Sequence, residues 1–266
     1  MPHAERYGVR IFYESFGEAG TPMVFLHALS LNRYAWVHQV FALARRHRVV
    51  VLDHRGHGLS DRPAAGYSIP EMARDARAVL DHVGIDRAVL VGNSVGAMVA
   101  AQIALDTPDR VVGMVLVSCA TNLAPHIPTE VLRAYEARFE AAFDYMNQGA
   151  TSARTKRERP EVAALLADVY RAKGNFSREV FLSCIRDPDG VFNWNVTDRL
   201  KDVRQPALVL AGQEDQAIPL DAVRMLAEHL PHATFKVVPD VGHYYPMEHP
   251  TDFNDDLRVF MADLDT

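Results

Sequence analysis

The sequence predicts an α/β fold, a mostly parallel sheet with helices on both faces, interrupted by one long helical insertion. Three observations carry this. Short β-branched runs recur at 23–27, 48–53, 88–92, 111–118, 207–212 and 234–238. Several are apolar at nearly every position, as expected of strands covered on both faces. Helical patterns separate them, and strand–helix alternation favours parallel pairing with right-handed crossovers. Between about Thr121 and Arg199 the alternation stops and apolar residues recur only at helical spacing.

Taken in order, "VRIFYESFG" (9–17) alternates polar and apolar residues and suits an antiparallel edge hairpin. "MVFLH" and "RVVVLD" follow as buried strands. Ser68-Ile-Pro-Glu71 reads as a capping box with an early proline, opening a helix that should stop near Gly84. "AVLVG" is a strand, 95–107 a helix that stops before Pro108, and "VVGMVLVS" the next strand. The insertion offers Leu132, Tyr135, Phe139, Phe143 and Met146 as apolar helical positions. Two last strands, "ALVLAG" and "TFKVV", alternate with helices over 219–230 and 250–264, each with a proline near its start.

The 266 residues suffice for a large core, and the composition, 48% apolar and 23% charged, is that of a globular protein. A net charge of −6 with both signs interspersed argues against nucleic acid or an anionic membrane as partner. "MPHAERYGVR" has no apolar stretch of the kind a signal peptide carries, and "VVGMVLVSCA" is too short to cross a bilayer, so a cytoplasmic protein is expected. Cys119 and Cys184 stand far apart, without metal-ligand spacing, and do not form a disulfide framework.

The chemistry gathers in "VLVGNSVGAM". Gly92-Asn93-Ser94-Val95-Gly96 is a G-x-S-x-G motif between a strand and a helix, a turn that lifts one hydroxyl clear of the sheet. A serine is a weak nucleophile and needs a base, which in turn needs an orienting acid. Of the 12 histidines, His243 in "PDVGHYYPMEHP" follows the strand 234–238, at the sheet edge where ligands gather. Asp215 in "LAGQEDQAIP" follows the strand 207–212 and is the preferred acid, with Glu214 beside it as the lesser candidate. Asp240 stands too close to His243 in sequence, and Asp221 falls inside a helix. The oxyanion donors should be the backbone amides of Val95 and, in the turn "LHALSLN", of Leu29. His54 and His57 in "DHRGHG" lack a third ligand, so no metal is expected.

With these residues placed, the chain resembles the α/β-hydrolase family of capped serine hydrolases: "FLHALS", "LDHRGHGLSD", "VGNSVG", "GQEDQAIP" and "GHYYPMEHP" fall in that family's order over about 8–120 and 200–262. The resemblance implies an eight-stranded sheet, a core of 1–120 and 200–266, and a helical cap of 121–199 after the sixth strand. It implies a triad of Ser94, Asp215 and His243, with no cofactor. His27-Ala28 stands where that family usually has His-Gly, and Ala97 where many members have a second glycine. His27, Trp194, Tyr244, Phe139 and Phe143 are the residues expected to contact substrate, His27 also ordering the oxyanion turn. The expected reaction is hydrolysis of a small, largely apolar ester or lactone by a monomer or homodimer. The rival readings are a carbon–carbon bond hydrolase of ring-fission products, although such enzymes usually carry Trp where Tyr244 stands, and a ligand receptor of the same fold.

Overall fold

The computed structural model describes residues 2–171 and 176–264, apart from the side chains at 129, 142, 143, 145–147 and 169–171. In chain order the elements are β1 (His3–Arg6), β2 (Val9–Phe16), β3 (Met23–Leu26), α1 (Val37–Leu43), β4 (Val49–Leu52), α2 (Ile69–His82), β5 (Ala88–Asn93), α3 (Val95–Asp106) and β6 (Val111–Val117). Five helices follow: α4 (Thr129–Ala137), α5 (Phe139–Ala150), α6 (Ala153–Glu158), α7 (Pro160–Arg171) and α8 (Arg178–Arg186). The chain then completes β7 (Ala207–Gly212), α9 (Leu220–His229), β8 (Ala233–Val238), α10 (Tyr245–Glu248) and α11 (Pro250–Leu264).

The strands form one sheet of eight in the order β1-β2-β4-β3-β5-β6-β7-β8. Pairing is antiparallel at β1–β2 and β2–β4 and parallel from β4 through to β8. The edge hairpin starts earlier than the alternation suggests. The whole stretch 9–16 is one strand, and its partner is 3–6. Tyr7 and Gly8 make the turn, both with positive φ, the backbone that a two-residue hairpin requires.

Strands β3, β4, β5 and β7 are buried at every position, which explains why their sequences do not alternate. Each buried Val or Leu contributes about 1.5–3 kcal/mol relative to its exposed state. Helix α3 is buried on nearly all sides and runs behind the sheet directly from β5. On α2 the capping box forms by half. The Ser68 hydroxyl accepts from the Glu71 amide at 3.2 Å, while the Glu71 carboxylate turns to Arg6 and Arg74. The two ends of the 121–199 insertion meet at a neck. Asn122 and Asn195 form an isolated bridge there, and the Thr197 hydroxyl donates to Thr121 Oγ1 at 2.8 Å.

Candidate active site

Ser94 sits between β5 and α3 with φ 55° and ψ −117°, a left-handed backbone rare for a side chain other than glycine. Its amide donates to the Val117 carbonyl on the neighbouring strand at 2.8 Å. The flanking glycines are demanded by close approach. A Cβ on Gly92 would strike the backbone of Gly96 and Ala97, and one on Gly96 would strike the Leu26 carbonyl. The turn therefore holds its strain because β3 and α3 press on it from both sides. Ala97, by contrast, is accommodated fully buried.

Asp215 and His243 come from the loops after β7 and β8. Asp215 Oδ1 accepts from the amides of Ala217 at 2.8 Å and Ile218 at 3.0 Å. Its Oδ2 faces His243 Nδ1 at 2.8 Å, with both side chains almost wholly buried. An ionised carboxylate only accepts, so Nδ1 carries the proton and Nε2 is left with a free lone pair. The histidine loop is fixed from two directions: His243 N donates to Ala150 O at 2.7 Å, and Asn93 Nδ2 donates to His243 O at 3.1 Å. Glu214, the lesser acid candidate, instead accepts from the Ala153 amide at 2.6 Å.

Ser94 and His243 open on one cavity of about 280 Å³, whose walls also include Leu29 and Val95. Among the described residues the amides of Leu29 and Val95 have no protein acceptor. The loops beyond the carboxyl ends of the strands supply the floor, and the insertion supplies the opposite wall through Leu123, Ile127, Val131, Tyr135, Phe181 and Phe192. Of the residues expected to contact substrate, Tyr244 lines this cavity. Trp194 does not; its indole is 2% exposed and donates to Gln102 Oε1 at 2.8 Å, locking the neck onto α3. Phe139 stands behind the wall, its ring 5.3 Å from that of Phe181. The Phe143 side chain lies outside the described residues. Sequence reading missed Phe181, Phe192, Ile127 and Gln216 as lining residues. Only Gln216 left a signal, by following the acid directly.

His27 also lies off the cavity wall. Its Nδ1 donates to Ala28 O at 2.8 Å, and its Nε2 accepts from the His54 amide at 3.0 Å. His57 is held the same way, Nδ1 to Arg55 O at 3.0 Å and Nε2 from the Ser30 amide at 3.2 Å. These neutral tautomers brace the turn that carries Leu29. Burial pushes His27 down to about 4 and His57 down to about 3, from an ordinary 6.5, and drives His54 well below its ordinary value. Their stabilisation is complete above the unfolded pKa near 6.5 and is lost as pH falls toward the folded values. At pH 5, linkage makes the loss about 2 kcal/mol for each of His27 and His57. Urea titrations at pH 7 and pH 5 should show this drop, with a smaller one in His57→Gln; equal stability at both pH values contradicts it. No group of three or more His, Cys, Asp or Glu among the described residues could hold a metal ion. Cys119 and Cys184 are buried free thiols whose pKa values burial raises, so neither is a nucleophile. No helix among the described residues is long and apolar enough to cross a membrane.

A family model described as alpha/beta hydrolase fold matches residues 21–250. A solved structure described as Est816, an N-acyl homoserine lactone degrading enzyme, superposes with a TM-score of 0.95 at 47% identity, covering 97% of this chain and 100% of that one. A putative carbamate hydrolase of Caulobacter segnis is 31% identical over 263 residues, spanning 94% of this chain and 96% of that protein. The 3-oxoadipate enol-lactonase 2 of Acinetobacter baylyi is 27% identical over 262 residues, spanning 95% and 93%.

Proposed function

The chain belongs to the α/β-hydrolase fold family and is a hydrolase of ester-type bonds, and on that premise we propose that it opens a small lactone through a Ser94–His243–Asp215 triad. The observation that carries the reading is the Asp215–His243 pair, which leaves Nε2 free on the histidine that shares a cavity with Ser94. Ser94 Oγ attacks the lactone carbonyl while His243 Nε2 takes its proton, and the imidazolium is stabilised by Asp215. The oxyanion is held by the amides of Leu29 and Val95, each such donor contributing about 3 kcal/mol in the transition state. His243 returns the proton to the ring oxygen, which leaves as a hydroxyl on the acyl-enzyme. Water, deprotonated by the same histidine, then releases the hydroxy acid.

The insertion acts as a cap in this reading. Its aliphatic and aromatic wall suits an alkyl chain, and about 280 Å³ lies at the small end of ligand sites. The 47% identity to an enzyme that degrades N-acyl homoserine lactones supports an acylated lactone as substrate. The test is a chain-length series of N-acyl homoserine lactones beside p-nitrophenyl esters and a ring-fission diketone. Wild type should favour short to medium acyl chains, and Phe181→Leu should shift the optimum to longer ones by several-fold in kcat/KM. Turnover of the diketone alone overturns the lactone reading in favour of carbon–carbon cleavage.

A further inference from the structure

Glu248, the last residue of α10, is fully buried and lies outside the chemistry described so far. Its Oε1 accepts from the amides of Gly242 at 3.1 Å and Tyr244 at 3.2 Å, the two residues flanking His243. Its Oε2 accepts from the Ser152 amide at 2.8 Å and the Thr155 hydroxyl at 2.9 Å, both in the insertion. Arg159 of the insertion donates to the Glu248 carbonyl at 2.7 Å. All four partners of the carboxylate are neutral, three backbone amides and one hydroxyl, and no ion pair to it is seen among the described residues. The seam leaves no slack: a Cβ on Gly242 would meet the Ala150 carbonyl and would lie 2.9 Å from both Glu248 Oε1 and Ser152 N.

We infer that Glu248 is a positioning residue that couples the seating of the 121–199 insertion to the placement of His243. A buried carboxylate outside any ion pair is tolerated only while its lone pairs are filled by donors. Lifting the insertion away would leave Oε2 bare, so seating the insertion and seating the histidine loop become one event. The base is then held in place when the cavity wall is in place. Glutamine cannot substitute, because an amide accepts on one side only and would set N–H against N–H on the other.

This inference rests on the triad reading, and its test separates the two. Thr155→Val removes one donor in the insertion and touches neither substrate nor His243; Glu248→Gln breaks the clamp itself. In the wild type, both single variants and the double variant, kcat, KM and Tm are measured on the best lactone or ester. The downfield proton resonance of His243 Nδ1–H, assigned by its loss in His243→Gln, is followed alongside. Thr155→Val should lower kcat about 5-fold and Glu248→Gln roughly 100-fold, with KM within 2-fold, and should broaden the resonance. The double variant should match Glu248→Gln, since both changes cut one coupling. Unchanged kcat and resonance with a lowered Tm, or effects that multiply in the double variant, overturn the inference. A wild type inactive on every lactone and ester refutes the lactone reading instead, and the resonance alone then decides whether the clamp holds His243.

Discussion

Ser94→Ala should lower kcat on any lactone or ester the wild type hydrolyses by a factor on the order of 10⁶, leaving the background that binding and the oxyanion donors sustain. In the proposed mechanism the effect is this large because the hydroxyl forms the covalent bond and neither cysteine can take over. Both cysteines are buried with raised pKa values, and neither lines the cavity. The fold should tolerate the change. The strained turn at Ser94 is imposed by Gly92, Gly96 and the backbone around them, and alanine adopts it at the same cost as serine. Substrate affinity and Tm should therefore stay close to wild type, which separates loss of chemistry from loss of structure.

Asp215→Asn is the second large effect, with an expected loss of about 10⁴ in kcat. The amides of Ala217 and Ile218 hold Oδ1, so the asparagine carbonyl is kept on that side. Its NH₂ then faces His243 Nδ1, where the carboxylate accepted at 2.8 Å. Two N–H groups cannot face each other, so the imidazole takes the other tautomer and Nε2 carries the proton. It can no longer accept one from Ser94. The variant is isosteric and should fold. A side chain that only packed the loop would show a change in Tm and little change in kcat. The pattern of low kcat, near-normal KM and near-normal Tm distinguishes the catalytic role.

The fold and the candidate-site residues differ in how much of them the sequence displays. Runs such as Val49–Leu52 and Ala88–Gly92 are legible because a strand buried on both faces admits only apolar residues. Ser94 is legible because two close backbone approaches force glycine on both sides of it, leaving a mark in the chain. Asp215 and His243 are legible only through the strands they follow, and nothing in the chain displays their contact. Side-chain direction in the insertion is different. Helical spacing says that Tyr135 and Phe139 are covered, but not by what: Tyr135 meets the cavity and Phe139 packs behind Phe181, while Trp194, expected at the substrate, pins the neck instead. His27 misleads for a related reason. It stands in the turn that carries Leu29, yet its ring is turned inward to hold the His54 amide. Glu248 left no signal, since a carboxylate ordinarily faces solvent, and here it is enclosed between donors of its own loop and donors of the distant insertion.

The proposed hydrolysis depends on acylation of Ser94. The direct measurement is peptide mapping by mass spectrometry after reaction with a fluorophosphonate, and after acid quench during turnover of a lactone. One phosphonyl adduct and one acyl adduct are expected, both on the peptide that contains Ser94 and both lost in Ser94→Ala. Adducts on another residue, or undiminished turnover by the Ser94→Ala protein, would contradict acylation of Ser94.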